Sequence, residues 1–300
     1  MRPDCLVLRR RPLPFSGQAI IQESAGVHTC QSVEGTVRMP NFVVVSHEAF
    51  SDKRWLRNPN YAFASKVAVC PVLGVEVATA AVALPMAFSS VGSDLEMIAV
   101  LGLLPDHNHF VASDGRWLGE YVPAALRCYP FQAGTTPDDQ PVLCFDSDSG
   151  LLRDAKLEEG EAFFNADGTL SDAVQSVVRF LTELGNSRKA TAIACAALQD
   201  CGVIVPWEVE LERDGSKQTI AGLSKVDEGA LNALTDDKFL ELRKTGALLL
   251  AHCQMLSMQR MSLLGRLAQM QARAAAQSQA IRQMTMSGDI DLSSLTGGPH

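Results

Sequence analysis

The residue pattern changes at Gly150, and this change constrains the fold more than any other feature of the sequence. Before Gly150, short apolar and β-branched runs alternate with turn residues; after it, apolar residues recur at helical spacing. Strands that come first and helices that follow are typical of an α+β protein. We therefore predict an α+β fold with an antiparallel β-rich N-terminal half, a helical C-terminal half that contains one hairpin, and a long C-terminal helix.

In the first half, the apolar runs predict strands at residues 41–46, 86–91, 95–104 and 141–145. The Ala-rich stretch 74–84 predicts a short buried helix that ends at Pro85. The polar stretch 51–60 predicts a loop, and Asp114-Gly115 predicts the turn of a hairpin.

In the second half, the pattern predicts helical faces at 174–184 and 190–198, a hairpin around Asp214-Gly215, and short helices at 227–234 and 236–244. A single helix is predicted over 247–286, with a heptad seam from Leu249 to Met284. Such a helix would be roughly 60 Å long, which exceeds what a domain of this size covers. The predicted organisation is a weakly ordered segment 1–40, a domain 41–267, a helical arm 268–286 and a disordered tail 287–300.

The charge of the chain argues against nucleic-acid binding. The formal net charge is −8, whereas proteins that bind nucleic acids nonspecifically carry basic surfaces. Residues 246–286 hold Arg260, Arg266, Arg273 and Arg282 and no acidic residue. An acidic body with a basic C-terminal segment is therefore expected.

The eight cysteines favour a reducing compartment. No two of them have the C-x-x-C spacing of zinc or redox sites, and several lie in apolar surroundings. The most apolar segment, 67–88, is interrupted by Pro71, Glu76 and Pro85, so we predict no membrane span. The first residues lack the apolar run of a secretory signal. We predict a soluble cytoplasmic protein, with the cell surface as the alternative.

Residues 101–131 hold the densest group of candidate recognition side chains, although aromatic residues make up only 6% of the chain. A guanidinium beside an aromatic ring suits a carboxylate or a stacked ligand. The alternative is a tight hairpin whose aromatic residues build the core and whose arginines pair with internal acids such as Asp114 and Glu120. The predicted ligand- or partner-binding residues are Arg116, Trp117, Tyr121, Arg127, Tyr129 and Phe131.

This stretch also resembles a known family. The order LGL, Asn108, Phe110-Val111, DGRW, Tyr121-Val122-Pro123, Arg127 and YPF is similar to the SapC family of bacterial proteins. The segments Tyr61–Ala64, Phe163–Gly168, Leu223–Leu234 and the stretch after Gly246 resemble other parts of that family, over about residues 41–267.

The resemblance implies an accessory role, and it assigns no catalytic residue. The family is associated with bacterial surface layers and is sometimes labelled as peptide-transporter related. Its members commonly have two adjacent arginines before YPF, where this chain has Arg127-Cys128.

Other residue clusters suggest less chemistry. On a strand, His107 and His109 would face one side and could hold a metal, but a polar turn is the favoured interpretation. We predict no metal and no cofactor. No phosphate loop, dinucleotide fingerprint or G-x-S-x-G motif occurs. An enzyme with dispersed active-site residues and a surface-layer structural protein stay open as alternatives.

The C-terminal helix is rich in methionine, whose flexible thioether suits adaptable binding surfaces. We predict that 247–267 packs on its own domain and that 268–286 pairs with a protein partner or a second copy. Peripheral contact with an anionic membrane face stays open. The predicted partner-helix residues are Leu263, Leu267, Met270, Ile281 and Met284. Together these features predict a non-catalytic binding or accessory protein.

Overall fold

The structure is a computed structural model that describes residues 41–136, 140–213 and 216–287. The predicted segment 1–40, the Asp214-Gly215 turn and the tail after Ser287 lie outside these residues. In chain order the elements are β1 Phe42–Val44, α1 His47–Phe50, β2 Lys53–Trp55, β3 Val69–Pro71, α2 Val77–Ala83, β4 Met86–Val91, β5 Asp94–Val100, α3 Ala124–Arg127, β6 Phe131–Thr135, β7 Pro141–Asp146, β8 Leu152–Asp154, β9 Glu161–Ala162, α4 Asp172–Asp200, β10 Ile204–Pro206, β11 Val209–Arg213, β12 Ser216–Ile220, β13 Ser224–Val226, α5 Glu228–Asn232, α6 Asp236–Thr245, α7 Ala247–Ser257 and α8 Met261–Ser287. Antiparallel sheets precede a mostly helical half, which confirms the predicted α+β fold.

The main sheet has five strands in the order β10-β13-β4-β5-β3, and every neighbouring pair is antiparallel. Its centre is the β4–β5 hairpin, whose two-residue turn has Gly92 at φ +65°, a conformation that glycine adopts without strain. Helices α2, α4 and α7 join this sheet around the larger hydrophobic core, which contains Phe88, Met97 and Leu198.

A smaller core lies among two three-stranded sheets, β1-β7-β6 and β8-β2-β9. Its centre is a group of aromatic rings in mutual contact, Phe50, Phe131, Phe145 and Phe163. The loop predicted over 51–60 is wrong at Lys53–Trp55, because this short strand pairs with both β8 and β9 and buries Trp55. The polar residues around it concealed a strand whose partners lie about 100 residues away in the chain.

Helix α4 links the two cores. The two helical faces predicted at 174–184 and 190–198 belong to one helix of 29 residues. The Ser171 side chain caps its start by accepting a hydrogen bond from the Val174 N–H. Val174 packs in the smaller core and Leu198 packs in the larger one.

The predicted single helix over 247–286 is interrupted by a 3-10 turn at Met258–Arg260, so α7 and α8 are separate α-helices. The predicted heptad seam is buried only in part. Its Cys253 and Leu267 are buried in the larger core, whereas its Leu256 is 71% exposed; Leu250 and Leu264, which lie beside the seam, are buried instead. A heptad count identifies an apolar stripe, but the neighbouring elements decide which of the adjacent stripes is buried.

Three further predictions concern two hairpins and a membrane span. The Asp114-Gly115 hairpin forms as a tight turn closed by a single bridge between Val111 and Trp117. The second predicted hairpin is formed by β11 and β12. Within the described ranges, no helix combines the length and the apolar character that a membrane crossing requires.

Candidate functional site

A buried carboxylate organises the part of residues 101–131 that faces α2. Glu76 is only 5% exposed. Its Oε1 accepts the Leu73 N–H at 3.2 Å, and its Oε2 accepts the Ala124 N–H and the Tyr121 O–H, each at 2.7 Å. None of the described cations forms an ion pair with Glu76. Main-chain and phenol donors therefore satisfy this carboxylate, and in doing so they fix the position of Tyr121.

Tyr121 is half-buried and stays protonated at neutral pH. Burial, together with the hydrogen bond to Glu76, raises the pKa of the Tyr121 phenol to about 12. Its main-chain oxygen also accepts the Trp117 Nε1–H at 2.9 Å. Hydrogen bonds therefore hold Tyr121 both at its main chain and at its hydroxyl.

Arg127, at the end of α3, is exposed and rests on two aromatic rings. Its Cζ lies 5.7 Å from the Tyr121 ring centre and 5.3 Å from the Phe180 ring centre. Its Nη2 donates a hydrogen bond to the Tyr121 phenol oxygen at 3.3 Å. No carboxylate in the described residues forms an ion pair with Arg127. We call Glu76, Tyr121, Arg127 and Phe180 the Arg127 site.

Arg188 contributes further positive charge beside the Arg127 site. Burial raises the pKa of the Cys128 thiol to about 11, and the charges of Arg127 and Arg188 oppose that rise. Burial also raises the pKa of Cys70, in this case with Glu76 and Cys128 as further causes. Both thiols are therefore protonated at neutral pH and are poor nucleophiles. The arrangement is suited to holding an anion.

Arg116 and Trp117 have local partners. The exposed Arg116 Nε forms an ion pair with the Asp114 Oδ2 at 2.7 Å, at the tip of the tight turn. Through that hydrogen bond Arg116 lowers the pKa of Asp114. Trp117 stacks on Phe110 with ring centres 5.3 Å apart. Arg116 is thus neutralised by a residue two positions away, in contrast to Arg127.

Tyr129 and Phe131 point to the smaller core. The Tyr129 ring stacks on Phe63 with centres 3.9 Å apart, and its hydroxyl donates to the Asp146 Oδ2 at 3.0 Å. Phe131 is buried in the aromatic group of that core. Of the six predicted residues, the structure therefore brings Trp117, Tyr121 and Arg127 together, since Tyr121 contacts both of the others.

His107 and His109 do lie together, with ring centres 4.5 Å apart. Their Nε2 and Nδ1 atoms both lie 3.1 Å from the Gln271 Oε1 of α8. The Gln271 amide in turn donates to the main-chain oxygens of His109 and Val111. Over the described residues, no group of three or more metal-ligating side chains occurs. The two histidines therefore contact helix α8 through Gln271.

The predicted partner-helix residues divide into two groups. Leu267 is buried and Leu263 packs against the larger core, so both contact their own domain. Met270 is 52% exposed, and Ile281 is exposed as well. The side chain of Met284 lies outside the described part of the chain.

Phe180, Arg188 and the role of Glu76 were missed at the level of sequence. Phe180, Ser187 and Thr191 lie at helical spacing on one face of α4, where the two hydroxyls accept the N–H groups of Val75 and Gly74. A single glutamate inside the apolar run 67–88 was the available signal for a buried carboxylate. The spacing on α4 could have indicated a second buried face.

The Arg127 site also lies within a range recognised by comparison with known families. No curated protein and no solved structure matches the chain. The SapC family model matches residues 45–264, which include all four residues of the Arg127 site and Arg188. Because this match covers most of its length, the chain belongs to the SapC family.

Proposed function

We propose that this protein is a non-catalytic binding or accessory protein that recognises an anionic group of a ligand or protein partner at Arg127. The observation that carries the proposal is the exposed Arg127 guanidinium, held over Tyr121 and Phe180 without a carboxylate partner among the described residues.

Preorganisation supports this function. A guanidinium has five N–H donors in a fixed plane, and the contacts above use one of them. Tyr121 is itself held by the buried Glu76, so an arriving carboxylate or phosphate would meet an arginine that has already lost much of its side-chain freedom. The nearby positive charge of Arg188 favours the same kind of ligand.

The titration behaviour of the site favours binding over proton transfer. General acid–base catalysis is most effective when a group has a pKa near the working pH. The pKa values of Tyr121, Cys128 and Cys70 are all raised away from neutrality. All three groups therefore stay neutral, and two of them, Tyr121 and Cys128, lie beside Arg127.

The direct test is affinity capture from native lysate with Arg127→Ala, and Arg116→Ala is the matched control. Both substitutions remove an exposed arginine of the same segment, but Arg116 is already neutralised by Asp114. We expect Arg127→Ala to lower recovery of the bound ligand or partner by about tenfold, the usual cost of losing a charge-assisted contact. Arg116→Ala should leave recovery unchanged. Equal recovery with wild type and Arg127→Ala would contradict the proposal.

The exposed part of α8 supports a second contact, with a protein partner or another copy of the chain. Every residue from 272 to 283 is exposed, whereas Gln271 is bound to the 107–111 segment. Deleting the chain after Gln271 should therefore leave the free energy of unfolding unchanged and reduce the particle mass measured by light scattering. If the mass per particle falls only by the mass of the deleted residues, the chain does not associate with itself through α8. Contact with a different protein is then tested by affinity capture with the truncated chain.

A reducing compartment such as the cytoplasm fits the thiols. The described cysteines are all free, and several are buried. Fractionation of producing cells provides the measurement, and recovery of the protein in a surface fraction would contradict this placement.

A further inference from the structure

A shallow groove runs between the start of β5, the segment after β3 and the second half of α4. Its volume is about 560 Å³. Its apolar lining comes from Val72, Leu73, Leu95, Met97, Ile193 and Ala196. It is separate from the ring-stacked guanidinium of Arg127, although Arg188 lines one of its ends.

One wall of the groove is an open strand edge. In an antiparallel pair, alternate residues direct their main-chain groups to the same neighbour. The Val100 N–H bonds to Pro85 beside β4, whereas the Met97 oxygen accepts the Val72 N–H on the β3 side. Leu95, two residues before Met97, therefore directs its N–H and C=O to the β3 side as well. There the chain has already turned away, because the Gly74 N–H bonds to Thr191.

The two ends of the groove carry opposite charge. Arg188 lies near Cys70, which pairs with Ala99, and Cys195 contacts the Met97 main chain. Helix α4 thus runs antiparallel to β5, and Asp200 comes to the end where Asp94 begins the strand. Asp94, Glu96 and Asp200 line that end. In the described part of the chain, neither these acids nor Arg188 form an ion pair.

The length of the groove sets the size of what fits. Arg188 and Asp200 are twelve residues apart on one helix, a span of about 18 Å at 1.5 Å per residue. An extended chain covers that span with about five residues.

We propose that this groove binds an extended peptide segment of a partner protein, which adds to β5 as a short parallel strand at Leu95. The segment carries a basic residue at its Asp94–Asp200 end, aliphatic or β-branched residues in the middle, and a carboxylate at its Arg188 end. Main-chain pairing at an open edge supplies affinity in this mode of recognition, and the charges at the two ends supply orientation. This inference does not depend on the anion site at Arg127.

The probe is a pool of fluorescent five-residue peptides with Lys first, Val, Ile or Thr at the other positions, and a free terminal carboxylate. A second pool has N-methylated main-chain nitrogens, which cannot pair with a strand edge. Binding to the full chain is measured by fluorescence anisotropy, and protection of the Leu95 amide is measured by hydrogen exchange. The test variant carries both Asp94→Lys and Asp200→Lys. The control variant carries both Glu183→Lys and Glu208→Lys, which change the charge equally at exposed acids outside the groove.

We expect the Asp94/Asp200 pair to weaken binding by about tenfold and the control pair by about twofold or less. N-methylation should weaken binding by about fivefold or more, and bound peptide should slow exchange at Leu95. If the double variant does not fold, Arg188→Glu replaces it and should also weaken peptide binding. Arg127→Ala should leave peptide binding unchanged. Absence of binding at about 1 mM peptide, equal loss in both double variants, or equal binding of the N-methylated pool would each overturn the proposal.

Discussion

At the scale of single residues, the Arg127 site depends on how Glu76 is satisfied. A buried carboxylate is costly unless donors replace the water it has lost. Here two main-chain N–H groups and one phenol do so. Glu76 therefore contributes to stability and, through Tyr121, to the position of Arg127.

Tyr121→Phe tests the contribution to stability. The substitution keeps the ring under Arg127 and removes the hydroxyl that bonds to Glu76 and Arg127. We expect the free energy of unfolding in urea to fall by about 1–2 kcal/mol. Tyr61→Phe is the matched control, because the described side-chain contacts of Tyr61 are made by its ring, and it should cost about 0.5 kcal/mol or less. Equal losses in the two variants would show that the hydroxyl of Tyr121 contributes nothing.

At the scale of elements, Gln271, which lies ten residues after the first residue of α8, attaches this helix to residues 107–111. The Gln271 oxygen lies within hydrogen-bond distance of both histidines, and its amide donates twice to the main chain. His109 is buried, its Nδ1 faces Gln271, its Nε2 has no hydrogen-bond partner in the described residues, and His107 is the neighbouring titratable group. Protonation of His109 would bury an unpaired donor beside His107.

Stability should therefore depend on pH through His109. Burial lowers the pKa of His109 below its ordinary value of 6.5. Between the two values the unfolded chain binds more protons, so the free energy of unfolding falls as the pH drops below about 6.5. Urea unfolding at about pH 7.5 and about pH 5.5 should show a smaller difference in His109→Gln than in wild type. His252→Gln, at an exposed histidine of α7, should behave as wild type; the same pH dependence in all three proteins would remove His109 as its source.

At the scale of the whole molecule, α4 makes the two cores depend on each other. Its first turns complete the smaller core, and its later turns pack under the main sheet. Because an unbroken helix of 29 residues contributes to both, unfolding of one core exposes part of the other. We expect the described body to unfold as one cooperative unit.

Phe163→Ala examines this coupling. Phe163 is fully buried among three aromatic rings, and its loss should cost about 3–5 kcal/mol. In a background of Trp117→Phe and Trp207→Phe, the fluorescence of Trp55 reports on the smaller core, while circular dichroism reports mainly on the helices. The midpoints of both unfolding transitions should shift together to a lower denaturant concentration. A shift of the Trp55 transition alone would show that the cores unfold independently.

Some parts of this structure are encoded locally and some are not. The strand at Met86–Val91 and the buried helix at Val77–Ala83 follow from an apolar run and from an Ala-rich stretch that ends at Pro85, and α6 ends at Gly246, whose φ of +77° suits a glycine. These signals act over a few residues, so the sequence by itself determined the α+β class and most of its elements. Which stripe of α7 and α8 is buried, and why Lys53–Trp55 is a strand, depended on distant neighbours.

The candidate site shows the same division. The density of aromatic and basic residues in the sequence made Tyr121 and Arg127 candidates, yet it grouped them with Arg116, Tyr129 and Phe131, which have partners elsewhere. Only the tertiary structure brought Glu76 to Tyr121 across 45 positions and placed Phe180 under Arg127. Contacts at such separations depend on how α2, α3 and α4 pack, and packing depends on the shape of the whole chain, which no local pattern contains.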